Sequence, residues 1–125
     1  LDLGNYETAI ADFSKALDIN PQFAEAFGNR GNAFLDLGNY ETAIADFTKA
    51  LDINPQFAEA YNNRGTAYLD LGNYETAIDD FTKALDINPQ YAEAYYNRGL
   101  AYAKSGDSDK AVNDLKKAKE LGLDQ

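Results

Sequence analysis

Four kinds of side chain able to do chemistry return along this chain at one spacing. Glu25, Glu59 and Glu93 lie 34 residues apart, as do Asn29, Asn63 and Asn97, then Arg30, Arg64 and Arg98, and finally Asp46, Asp80 and Asp114. The carboxylates supply negative charge, and each asparagine supplies both a donor and an acceptor. Each arginine precedes an aspartate by 16 residues. An ion pair between helices that fixes their register suits such residues, since arginine tolerates partial burial with a carboxylate. The other reading of the arginines is an anion site. Asp12 leaves the pairing open. If aspartate pairs with the next repeat's arginine, Asp12 meets Arg30 and Asp114 is left over. If pairing stays within a repeat, Asp12 is the orphan.

Catalysis needs unlike groups converging in one pocket. Here the ionisable groups recur with the repeat, and no nucleophile–base set stands out. The chain has no His and no Cys. That removes the commonest general base and transition-metal ligand, together with disulfides and thiolate sites. Asp79-Asp80 lacks the spaced ligands and glycine of a calcium loop. No enzyme activity, metal or other cofactor is expected.

The charge balance narrows the partners. Asp plus Glu number 21 against 11 Lys plus Arg, a formal charge of −10. Such a chain repels phosphate backbones and anionic membrane surfaces, so neither nucleic acid nor membrane is expected as a partner. The 125 residues, 45% of them hydrophobic, suffice for one domain with a core. No apolar run reaches membrane-spanning length. No basic start followed by an apolar stretch marks a signal peptide. The chain opens on Leu1 and not on Met, which reads as a fragment or a processed form. Its default location is cytoplasmic.

The elements that position these groups come from the repeat itself. LDLGNYETAI occurs at 1–10, 35–44 and 69–78, and segments 24–57 and 58–91 agree at 28 of 34 positions. A third copy, 92–125, drifts, and 1–23 corresponds to the second helix of a truncated copy. Each copy reads as two helices. Asn20-Pro21, Asn54-Pro55 and Asn88-Pro89 are expected to open the first, by capping and by proline in the first turn. Gly38, Gly72 and Gly106 end it in the left-handed conformation. Asn39, Asn73 and Asp107 then cap the second, whose apolar face carries Tyr40, Ala43, Ile44, Phe47, Ala50 and Leu51 at helical spacing. The spacing predicts seven helices, at about 3–19, 21–37, 39–53, 55–71, 73–87, 89–105 and 107–121. Gly31, Ala43 and Ala50 let helices approach, and Phe27, Phe34, Tyr40 and Phe47 fill the gaps. A single hairpin cannot bury its face alone, so the copies stack into a solenoid.

Phe27, Gly31, Phe34, Ala43, Phe47 and Pro55, repeated at Tyr61, Gly65, Tyr68, Ala77, Phe81 and Pro89, resemble the tetratricopeptide repeat pattern along the whole chain. Arg30, Arg64 and Arg98 stand where that family often has Leu. The resemblance implies an all-α, right-handed superhelical solenoid. It also implies a concave groove lined by first helices, which holds a peptide or partner protein. The groove-facing positions it implies are Glu25, Gly28, Asn29, Asn32 and Asp36. In the next copy they are Glu59, Asn62, Asn63, Thr66 and Asp70, and in the third Glu93, Tyr96, Asn97, Leu100 and Lys104. Family members that bind chaperone C-termini use Lys, Asn and Arg as a carboxylate clamp. Here the Lys positions hold Glu25, Glu59 and Glu93, so a basic or polar peptide is expected in place of an acidic one. The bland role of these glutamates is to face the positive ends of their helices.

The copies also differ in instructive places. Segments 24–57 and 58–91 differ at six positions, among them Gly28 against Asn62 and Asn32 against Thr66. The third copy carries Tyr96 and Leu100 there, so the groove is expected to grow larger and more apolar, with Tyr96 as an anchor or as unselected drift. Lys110, Lys116, Lys117 and Lys119 make the last helix polar, as a solvent-facing cap requires. Tyr6, Ile10, Phe13 and Leu17 form an apolar face on the first helix, half of which lacks a partner within the chain; it is expected to pair with the same helix of another molecule, as a homodimer, or to receive the end of a neighbouring array. The competing class is a purely structural or engineered repeat with no natural ligand; the near identity of two copies fits design or recent duplication.

Overall fold

The computed structural model describes residues 3–123. Among them lie seven helices: α1 (Leu3–Ile19), α2 (Ala24–Asp36), α3 (Tyr40–Ile53), α4 (Ala58–Asp70), α5 (Tyr74–Ile87), α6 (Ala92–Ser105) and α7 (Ser108–Glu120). The outermost residues of the expected segments 1–23 and 92–125 lie outside the described residues. α2 with α3, α4 with α5 and α6 with α7 form hairpins, and α1 packs on α2. The array is curved. Among the described residues the backbones of α2 and α4, and of α4 and α6, come close together, whereas those of α1, α3, α5 and α7 stay farther apart. The even-numbered helices therefore make the inner, concave layer.

The helix ends follow the punctuation, with two corrections. Gly38, Gly72 and Gly106 have φ of 82°, 84° and 95°. Their N–H groups donate to Leu35, Leu69 and Ala103, and the next residues donate to Phe34, Tyr68 and Tyr102. This is the pair of hydrogen bonds of a Schellman cap, and the left-handed φ it needs explains the glycine. The first helices, however, start three residues later than the Asn-Pro pairs predict. Asn20 Oδ1 accepts from the Gln22 N–H at 3.2 Å, and its carbonyl accepts from Phe23. Asn54 and Asn88 do the same with Gln56 and Gln90. Proline drives the preceding residue to extended backbone, so the asparagine closes a turn before the helix and does not cap it. Asn39 and Asn73 occupy the N-cap positions, but neither side chain bonds the backbone; only Asp107 does, accepting from Lys110.

Packing depends on close approach at glycine. A Cβ at Gly31 would lie 2.7 Å from the Phe47 ring, and one at Gly65 would lie 2.7 Å from Phe81. Both rings are fully buried. The small residue on the inner helix thus admits the large one on the outer helix. Phe13 on α1 holds the corresponding outer position, yet it is only half-buried.

The arginines resolve the pairing question. Arg30 donates to both carboxylate oxygens of Asp46, at 2.9 and 2.8 Å. Arg64 meets Asp80 and Arg98 meets Asp114 in the same fork. Pairing therefore stays within the hairpin, and Asp12 is left exposed on α1. The remaining guanidinium nitrogen reaches back one repeat, to Ser14 at 3.1 Å, Thr48 at 3.1 Å and Thr82 at 3.2 Å. These hydroxyl partners were not anticipated. Each guanidinium also lies over an aromatic ring of its own helix, Phe27, Tyr61 or Tyr95, at 5.6, 5.6 and 5.7 Å. The hydrogen bond to aspartate outweighs the cost of burial and raises all three arginine pKa values.

Removing a buried partner strands a charge. Asp80→Ala is expected to cost about 3 kcal/mol, while Thr48→Val, which removes one neutral acceptor, costs about 1 kcal/mol. Urea unfolding of the two variants measures both, and equal losses would contradict the fork as the stronger link.

Candidate functional site: an acid-edged inner groove

The inner layer brings the expected polar residues together unevenly. Glu25, Asn29, Glu59 and Glu93 are exposed; Asn32, Asn63, Thr66, Tyr96, Asn97 and Leu100 are half-buried. The asparagines form a line of hydrogen bonds across three helices. Asn97 Nδ2 donates to Asn62 at 3.2 Å, Asn62 to Asn63 at 3.4 Å, and Asn63 to Asn32 at 2.8 Å. Each of these side chains thus spends part of its capacity on its neighbours, which holds it in one orientation.

Three groove positions turn inward. Asn62 is only 4% exposed and belongs to the wall of the groove. Gly28, its counterpart, is buried beneath Phe57, whose ring would lie 3.1 Å from a Cβ. Leu100 packs on the core cluster of Leu69, Ala77, Phe81 and Ala101. A short or apolar side chain at these positions is drawn under the next helix. Thr66 bonds its own helix, donating to the Asn62 carbonyl at 3.1 Å. Asp70, farther along, has its pKa raised by burial, and Lys104 on the next inner helix counters this.

A cavity of about 600 Å³ opens at the N-terminal ends of these helices. Glu25, Glu59 and Glu93 line it together with Phe57, Tyr91 and Gln56. Phe57 and Tyr91 stand at the N-caps of α4 and α6. They were not anticipated as site residues, although a signal was present. Phe57 is replaced by Tyr91 where Gly28 is replaced by Asn62, and the structure makes these one change: glycine admits a ring, while Asn62 hydrogen-bonds the tyrosine hydroxyl. Tyr91 is pushed up to about 12 by burial first, then by the negative charges of Glu93 and Glu59, against the Asn62 hydrogen bond.

The unfolded phenol releases its proton near 10.0, before the folded one. Stability linked to Tyr91 is therefore complete below pH 10.0 and is lost as pH rises toward about 12. Ultraviolet phenolate titration of the wild type minus Tyr91→Phe is expected to show that late step. Lowering of the midpoint by Glu59→Gln/Glu93→Gln would confirm its electrostatic part.

Sequence and fold comparisons agree. The "TPR repeat" family profile matches residues 1–38, 31–72 and 65–106, and the "Tetratricopeptide repeat" profile matches 92–121. Among curated proteins nothing matches. A crystal structure of MamA superimposes with a TM-score of 0.89 at 29% identity, over 98% of this chain and 75% of that one. The first TPR of Spaghetti (RPAP3), bound to the HSP90 peptide SRMEEVD, gives 0.80 at 30% identity, over 83% and 82%. The Arabidopsis OM64 TPR domain gives 0.78 at 30% identity, over 79% and 82%. The repeated helix pairs, their stacking on a buried aromatic and glycine, and the matches along the whole length place this chain in the tetratricopeptide repeat family of protein-interaction scaffolds.

Proposed function

We propose that this array holds an extended peptide of a partner protein along the concave face of α2, α4 and α6. The observation that carries the reading is the asparagine line from Asn32 to Asn97, which spans all three inner helices in one hydrogen-bonded orientation. Preorganised amides suit a peptide backbone, because both donor and acceptor capacity remain at the partly exposed ends. Asn29, Asn32, Asn63, Thr66, Asn97 and Tyr96 present the accessible polar surface, with Tyr96 as an aromatic anchor. Asn62 and Leu100 act beneath it, as wall. The peptide seen on the RPAP3 repeat carries an acidic EEVD end. Glu25, Glu59 and Glu93 would repel such an end, so a basic or polar partner fits this groove better. The role is recognition and not catalysis.

A second reading rests on α1. Ile19 is 86% exposed, and Phe13 is half-buried where Phe47 and Phe81 are fully buried. Tyr6 and Ile10 are also half-buried, but Leu17 is 7% exposed and belongs to the intramolecular core. Self-association through Tyr6, Ile10, Phe13 and Ile19, without Leu17, would cover this face.

Peptide arrays test the first reading. Binders are expected to weaken about tenfold on Asn63→Ala, the loss of one or two hydrogen bonds, and to weaken on Tyr96→Ala, with helix content unchanged. An array with no binder above background would leave only a structural scaffold. Sedimentation at low micromolar concentration tests the second. Concentration dependence that vanishes in Phe13→Ser/Ile19→Asp is expected, and a clean wild-type monomer would rule it out.

A further inference from the structure

We infer that the cavity at the N-terminal ends of α2, α4 and α6 is an arginine pocket, which takes the guanidinium of an arginine in the partner peptide between Phe57 and Tyr91. This rests on the peptide-groove reading and names what the groove selects. The cavity of about 600 Å³ is lined by three carboxylates, Glu25, Glu59 and Glu93, and by two aromatic rings, with no Lys or Arg among its lining residues. The choice of occupant follows from charge and shape. A carboxylate attracts any cation, but a planar guanidinium also stacks on a ring and pairs with a carboxylate through two parallel hydrogen bonds.

The chain itself illustrates that preference. Its arginines, Arg30, Arg64 and Arg98, each combine a carboxylate fork with an aromatic face. All three are committed to Asp46, Asp80 and Asp114. The groove glutamates differ from those aspartates in a decisive way. Glu25, Glu59 and Glu93 are exposed and form no ion pair among the described residues. Each sits in the first turn of its helix. The helix end offsets roughly half a unit of charge there, so net negative charge remains around the rings. The upward push on Tyr91 by Glu93 and Glu59 registers the same field inside the cavity. The sequence adds one more observation. The carboxylate is kept in all three copies, while the neighbouring position changes from Gly28 to Asn62 to Tyr96. The acidic edge is therefore common to the repeats, and the surface beside it is particular to each.

Fluorescence anisotropy decides the matter, with short labelled Gly-Ser peptides carrying arginine and matched peptides carrying citrulline, lysine or glutamate. The arginine probe is expected to bind about tenfold tighter than citrulline, tighter than lysine, and far tighter than glutamate. Glu59→Gln/Glu93→Gln is expected to remove the preference for arginine over citrulline. Glu41→Gln/Glu75→Gln removes the same charge from the outer helices α3 and α5 and is expected to keep it. Tyr91→Ala is expected to reduce arginine binding toward that of lysine. Equal binding of arginine and citrulline overturns the pocket, as does an equal loss in the two double variants, which would mark diffuse attraction to a chain of charge −10. Lysine binding as tightly as arginine overturns the guanidinium assignment. If array peptides still bind through Asn63 while arginine is ignored, the groove stands and the pocket falls. If no peptide binds at all, both fall.

Discussion

The guanidinium fork is the interaction on which the rest of the architecture depends. One planar group makes two bonds to the aspartate of its own hairpin and one to a hydroxyl of the hairpin before it. It sets the angle between two helices and the register between two repeats at the same time. Hydrophobic packing alone is poorly directional, and the copies are so alike that a slipped stack would bury similar apolar area. A charged group that needs three partners at fixed positions removes that freedom. A buried ion pair is weak support for stability in itself; here its repetition in every hairpin points to specificity of register.

Given that register, the inner layer follows. The glycines opposite Phe47 and Phe81 bring the inner helices close to the outer ones. The inner helices then come close together across repeats while the outer ones stay farther apart. Curvature places Asn32, Asn63 and Asn97 within reach of one another's neighbours, and the asparagine line forms. The Asn62–Tyr91 and Gly28–Phe57 pairs show how finely the groove wall is adjusted. A change on one helix is absorbed by the residue that starts the next inner helix. Wall and floor are therefore built from adjacent repeats and not from any single one.

Polar groups in this protein fall into two populations. Asp46, Asp80 and Asp114 are buried and fully engaged. Glu25, Glu59 and Glu93 face solvent around a cavity with aromatic walls. The first population maintains the scaffold. The second leaves that edge of the inner layer negatively charged.

Much of the molecule was legible in the residues alone. The 34-residue period, the glycine stops and the helical spacing of apolar positions are local signals, carried by short stretches of chain. They determined the helix count, the hairpins and the stacking. What stayed open was every question of which copy meets which. Arg30 lies 16 residues before Asp46 and 18 after Asp12, and sequence distance does not rank those two partners. The fold chose Asp46, because the outer helix of the same hairpin packs the aspartate against the inner one, and it gave the preceding repeat a hydroxyl contact. Likewise Asn62 and Asn63 are neighbours with the same side chain, yet one is wall and the other reaches the groove. Helical spacing places a residue on a face; only the packed neighbour decides whether that face is covered. The Asn-Pro pairs make the same point at short range, since the turn they form delays the helix by three residues. Sequence periodicity reports what a segment does within itself, and tertiary packing decides what its polar groups meet.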